Sequence, residues 1–268
     1  MADRVPERST LTHTPASLPA RRGVSHISHD GIMAVDGRIQ WAENPGAASW
    51  IAPRLHPFNQ DTGSVVPEGI EAYCRIFHPE GPNYPDGSFR SWAEVAESNG
   101  RIAHPNMQFH VISRPMGNAA PDPMNGGSGP STGSLPPRER QRLLGLLRPE
   151  TRTPEHCWFC IWEGYGNIEV RGPLVQLQSR NYGLYAGSIE LAMAPLDTPW
   201  NDQSPNLWWP EDHSWIVATE IDYAWTYVGG SQRLIDNVVS DDLLEAMPVH
   251  LSDSPFLTGD TVNVDPES

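Results

Sequence analysis

Lysine is missing from this chain of 268 residues: all 18 basic side chains are arginine. At ordinary usage about fifteen lysines are expected. Their absence excludes Schiff-base chemistry, a pyridoxal phosphate anchor, and the phosphate-binding lysine of Walker loops and kinases. Cysteine is scarce, limited to Cys74, Cys157 and Cys160. So small and odd a set does not make a secreted disulfide framework, and it agrees with a reducing compartment. No run approaches the roughly 18 apolar residues of a membrane helix. The opening MADRVPERSTLTHTPASLPARRG lacks the apolar stretch of a secretory signal. The expectation is a cytoplasmic protein with no membrane association. G-x-S-x-G, H-E-x-x-H, G-x-G-x-x-G and EF-hand patterns are also missing. No motif specifies a reaction, and no cofactor is called for.

What the chain has in excess is negative charge and tryptophan. The formal net charge is −15, and ten tryptophans sit within a 38% hydrophobic composition, enough to build a core. Residues 197–268 hold fourteen acids against one base, Arg233, so this stretch carries −13 of the total. Such a segment repels nucleic acid and favours a cationic partner, a divalent metal or simple solubility.

Residues 1–48 are rich in Pro, Ser, His and Arg without periodicity and read as a flexible arm. Residues 49–248 read as a single α+β domain, and 249–268 as an acidic tail. Residues 115–134 are low in complexity and read as a mobile loop. Alternation predicts a strand over 70–78, with Ile70, Ala72, Cys74, Ile76 and His78 on one face. Ser91 and Glu94 form a capping-box pattern at the start of a short helix. Residues 107–113 read as a strand, and Pro137–Leu147 as a helix. Strands follow at Cys157–Trp162, 174–178 and 182–189. Residues 215–227 alternate over a long span, and Gly229-Gly230-Ser231 opens a last helix. The fold expected is a mostly antiparallel sheet with three or four short helices on one face, around a single aromatic-rich core.

Cys157-Trp158-Phe159-Cys160 is a CxxC, but its aromatic and β-branched neighbours favour a strand, on which the two thiols face opposite ways. Cys74 and His78 share a strand face. Joined to Cys157 and Cys160 they are the candidate zinc ligands, against the plainer reading as core residues. Glu220 and Asp222 lie two apart in an apolar stretch, so a strand puts both on one face. There they would hold a cation, act as acid and base with His213, or pair with Arg75 or Arg180. Trp208, Trp209, Glu211 and Asp212 place aromatics beside acids, a combination that suits guanidinium groups or sugars; the alternative is tryptophans plugging the sheet.

The segments 66–73, 205–210 (PNLWWP), 219–222 (TEID) and 226–231 (TYVGGS) resemble a family of uncharacterised soluble bacterial proteins. The likeness runs from about Trp50 to Met247. It implies a single folded unit and carries no catalytic residues. The functional expectation is an acidic protein-binding module of antitoxin or immunity type that masks a basic partner. Its contacts would be Trp208, Trp209, Glu211, Asp212, Glu220 and Asp222. The alternative is a hydrolase, metal-dependent or glycan-directed, using Glu220 and Asp222.

Overall fold

The computed structural model describes residues 40–81, 88–117, 129–166, 168–194, 202–256 and 259–264. Nine strands form one sheet, every pairing antiparallel. They are β1 (Gln40–Trp41), β2 (Ala72–Phe77), β3 (Cys157–Trp162), β4 (Leu174–Leu177), β5 (Arg180–Gly187), β6 (Leu207–Pro210), β7 (Ile216–Ala218), β8 (Trp225–Gly230) and β9 (Ala246–Pro248). The order is β1-β5-β3-β6-β7-β8-β2-β9, with β4 paired to β5. Four α-helices are described: α1 (Trp92–Ser98), α2 (Phe109–Ile112), α3 (Pro137–Leu147) and α4 (Gln232–Val239). The α+β expectation, a mostly antiparallel sheet with four short helices around buried aromatics, is met.

Strand alternation divides the core into two layers. On β2, Tyr73 and Phe77 join one layer while Cys74 and Ile76 join the other. The first layer takes Trp92, Val95 and Ala96 of α1 and Ile112 of α2. The second takes Leu143, Leu144 and Leu147 of α3 with Leu234, Ile235 and Val238 of α4. Helices therefore cover both faces, where the sequence pattern placed them on one.

Local signals set several boundaries. Ser91 and Glu94 close both halves of the capping box of α1. Pro137 starts α3, where its fixed φ suits the first helical position. Glu245, just ahead of β9, supplies a tertiary cap for α1, accepting the N–H groups of Trp92 and Ala93 at 2.5 and 2.7 Å.

Residues 107–113, expected as a strand, contain the helical turn α2. Asp260, distant in sequence, accepts the Gln108 N–H at its start. The stretch 215–227 is two strands, β7 and β8, paired to each other across a turn at 219–224. Trp215 and Val217 pack in one layer and Trp225 and Tyr227 in the other, so the alternating set does not share a face. Residues 40–48, assigned to the arm, supply β1 and a 3-10 turn with Ala48 buried. Parts of 249–264, assigned to a tail, are packed: Val249, Asp260 and Asn263 are buried, and the Asn263 carbonyl accepts from Arg101. Residues 118–128 of the expected mobile loop lie outside the described residues, as do 1–39 of the arm.

Gly133 fastens the turn between β7 and β8. Its N–H donates to the Tyr223 carbonyl at 2.9 Å, and its carbonyl accepts from Gln203 and Tyr165. Its φ is +72°, and a Cβ would stand 2.5 Å from the Ile221 carbonyl oxygen. Gly133→Ala combines left-handed strain with a backbone clash and is expected to cost about 2–5 kcal/mol in urea unfolding. An unchanged midpoint would show that the turn does not need this approach.

Candidate functional site

The turn at 219–224 follows from a side chain competing with the ladder. Glu220 accepts the Asp222 N–H through Oε2 at 2.6 Å, and its carbonyl accepts the Tyr223 N–H at 3.1 Å. This local capping curls the chain where an alternating pattern would continue it. Glu220 and Asp222 thus sit on a hairpin turn, not in a strand.

Both carboxylates meet Arg180, the first residue of β5. Its Nη2 lies 2.6 Å from Glu220 Oε1 and 3.2 Å from Asp222 Oδ2. The contact to Asp222 is aligned as a hydrogen bond. The one to Glu220 is a close ion pair without that alignment, so Glu220 Oε1 and Arg180 Nε are buried with no hydrogen-bond partner among the described residues. One guanidinium stands against both carboxylates, in the position a bridging cation would take.

Aromatic rings frame the cluster. The Arg180 guanidinium lies 5.7 Å from the Trp162 ring centre and 6.0 Å from that of Phe58. Tyr182, Tyr223 and the apolar side chains Leu55, Val65 and Leu207 wall a pocket of about 40 Å³ that reaches Arg180 and Glu220. This is room for a side-chain tip or a few waters, far below the several hundred Å³ of a drug-sized site. Asn59 and Gln178, two of the three described non-glycine residues with positive φ, line the same pocket. The exposed Glu163 accepts from Asn181, the residue after Arg180 on β5, at 2.6 Å. Two carboxylates therefore meet one arginine, leaving the cluster net negative.

The remaining candidates lie elsewhere. Trp208 and Trp209 are wholly buried on β6 and offer no surface to a partner, which corrects their place in the expected contact set. Asp212 is a structural cap, accepting from Thr151, Arg152 N–H and Ser214 N–H. Burial raises its pKa, but those hydrogen bonds outweigh it and hold the carboxyl below the usual range. Glu211 is exposed and accepts the indole N–H of Trp158. His213 stacks on Trp50 at 4.6 Å, and burial lowers its pKa. It lies in the β6–β7 loop, at the far end of β7 from Glu220, and does not line the Glu220 pocket.

The four proposed metal ligands are not brought together. Cys160 lies in one core layer and Cys157 with Cys74 in the other. All three are free thiols; burial pushes Cys157 up to about 12 and raises the other two further. Both nitrogens of His78 are used, Nδ1 on the Ser131 carbonyl at 2.7 Å and Nε2 on Thr226 at 2.9 Å. Among the described residues no group of three or more His, Cys, Asp or Glu side chains is placed to hold a metal.

Internal bonding is general among the acids of the C-terminal third. Every described one except Asp242 holds a hydrogen bond or an ion pair, examples being Asp202 with Arg140 and Asp241 with Arg142. Sequence reasoning missed Trp162, Phe58 and Tyr223 as neighbours of this cluster.

Fold and site together define an α+β protein whose antiparallel sheet carries an acidic, aromatic-framed pocket at one end. Compared with known proteins, the chain matches no family model, no curated protein and no solved structure. No described helix is long and apolar enough to cross a membrane.

Proposed function

We propose that this protein is an acidic protein-binding module, of antitoxin or immunity type, that engages a basic partner through the Glu220–Asp222 turn. The observation behind this is the cluster itself: Glu220 and Asp222 against Arg180, flanked by Trp162, Phe58 and Tyr223. Arg180 already occupies a guanidinium position there, and the surplus negative charge attracts a second cationic side chain. Carboxylates beside aromatic faces favour arginine and lysine by charge and by the ring quadrupole. The net charge of −15 adds long-range steering toward a cationic surface. Phe58 is 45% exposed and Asp222 lies largely in solvent, so the face is open to contact.

The test is a low-salt pull-down from the native cell, with the full chain and an Asp222→Lys variant as baits. The expected result is a stoichiometric basic protein that leaves in high salt, and whose association with the variant is slower by on the order of tenfold or more. Equal capture by both baits, or capture that resists salt, would remove this face from the binding reading.

A further inference from the structure

A groove of about 490 Å³ lies where the start of α1, the first turn of α3 and the segment 242–245 ahead of β9 meet. It shares no lining residue with the Glu220 pocket and is independent of the binding reading. Three of its charged side chains are committed to the fold. Arg90 holds Glu80 through Nε and Nη2 at 2.8 and 2.6 Å. Glu94 accepts the Ser91 N–H and hydroxyl at 2.7 and 2.9 Å, and Glu245 caps α1.

Three others are not. Glu139 is the third residue of α3, where a carboxylate normally reaches back to the N-cap N–H; here the N-cap is Pro136, which has none. Glu139 is left 6% exposed, with its own backbone N–H as its one described donor. Burial raises its pKa, and that N–H and the Arg138 charge only partly oppose the rise. Arg138 is exposed and holds no ion pair or hydrogen bond among the described residues. Asp242 is exposed and equally unpaired.

The chain around Asp242 also turns an apolar side chain outward. Asp241 accepts the Leu243 N–H at 3.0 Å through its side chain, and its carbonyl accepts the Leu244 N–H at 3.2 Å. The turn sends Leu244 into the core and leaves Leu243 50% exposed. Phe89, 52% exposed, lines the same groove.

An unpaired cation, two unpaired carboxylates and two large exposed apolar side chains therefore share one patch. Opposite charges left unpaired within one chain can pair across a two-fold axis, where a surface meets its own copy reversed. Apolar side chains set among charged ones match the make-up of a subunit interface. The net charge of −15 opposes association at long range, but that repulsion is screened beyond about 8 Å at physiological salt, so local pairing decides.

We infer that this groove is an isologous interface between two copies of this chain. Arg138 of each protomer enters the partner's groove and meets the partner's Glu139 and Asp242, while Phe89 and Leu243 of the two protomers cover one another. The buried Glu139 carboxylate thereby gains the donor that Pro136 cannot supply.

The experiment is sedimentation equilibrium of the full chain at physiological salt. The mass should double across a series from about 1 to about 100 μM. Asp242→Arg and Arg138→Asp each set like charges across the axis at two symmetric places and should weaken the dimer about 10²-fold. Mixing the two variants in equal amounts should restore it, because the reversed charges then face each other, and recovery also shows that both are folded. A natural chain that keeps monomer mass throughout overturns the inference. So does a dimer that both variants leave intact, or a mixture that stays monomeric at unchanged circular dichroism. Hydrogen exchange on the natural chain covers the case of an unfolded variant: protection of residues 88–91 and 242–245 must rise with concentration. Unchanged protection there overturns it.

Discussion

Stability is expected to fall by about 3 kcal/mol between pH 6.5 and about pH 4 through His78 alone. The side chain is wholly buried, and burial drives its pKa down to about 4, with the nearby Arg75 charge adding to the effect and the Ser131 hydrogen bond opposing it. An unfolded histidine binds its proton near 6.5, whereas the folded one resists until about 4. Within that window the unfolded state holds more protons, so the contribution is complete above 6.5 and declines as pH falls. A gap of this size corresponds to about 3 kcal/mol at 1.36 kcal/mol per unit. Burial accounts for the resistance, and the hydrogen bonds define the neutral tautomer. Nδ1 donates to the Ser131 carbonyl, so Nε2 must accept from the Thr226 hydroxyl, which accepts in turn from Thr219 at 2.7 Å. A second ring proton would set two donors against each other. Urea midpoints at pH 7, 5.5 and 4 for the natural chain and His78→Gln check this. The variant should lose the difference in slope, and parallel profiles would show that His78 does not govern acid stability.

Trp208→Ala and Trp209→Ala are each expected to cost about 3–5 kcal/mol, the range for large core aromatics. Trp208 stacks with Phe159 at 6.3 Å and meets the edge of Trp215 at 5.3 Å; Trp209 meets Trp50 at 6.0 Å. Both are wholly buried, so truncation leaves a cavity and does not trim a contact surface. Trp209→Phe should cost much less, because the Trp209 indole N–H has no acceptor among the described residues and its removal relieves an unsatisfied donor. Chemical denaturation separates the two outcomes. If binding is lost from either alanine variant while its denaturation midpoint stays put, these residues return to the contact surface.

Much of the fold was legible locally. Pro137 and the leucines at 143, 144 and 147 mark α3 from its proline start to its apolar side. The capping box at Ser91 and Glu94 marks α1, and the aromatic run of β3 correctly separates the two CxxC thiols onto opposite faces. The candidate site was half legible. Glu220 and Asp222 do meet Arg180, one of the partners the sequence offered, but on a turn. Periodicity over 215–227 could not reveal that a side chain would outcompete the ladder at Glu220. Nor could it reveal that Gly133, nearly ninety positions earlier, would come close enough to hold the bend.

The buried charges show the same division. Arg75 alternates as an ordinary strand residue, yet it is buried against Trp225 at 3.7 Å and Phe77 at 4.6 Å, and donates to the Pro105 carbonyl at 2.8 Å. Burial lowers its pKa to about 10, with neighbouring tyrosines and acids opposing the shift. Composition alone determined the acidity, the exclusion of lysine chemistry and the means to fill an aromatic core, since these are sums over residues. Short-range pattern determined most helices and strands, since caps and alternation act within a few residues. Only the tertiary structure decided which acids are caps, which tryptophans are core, and that Arg138 and Asp242 come to one groove. Those outcomes depend on approaches between distant segments, and one approach can convert an apparent surface carboxylate into an internal hydrogen-bond acceptor.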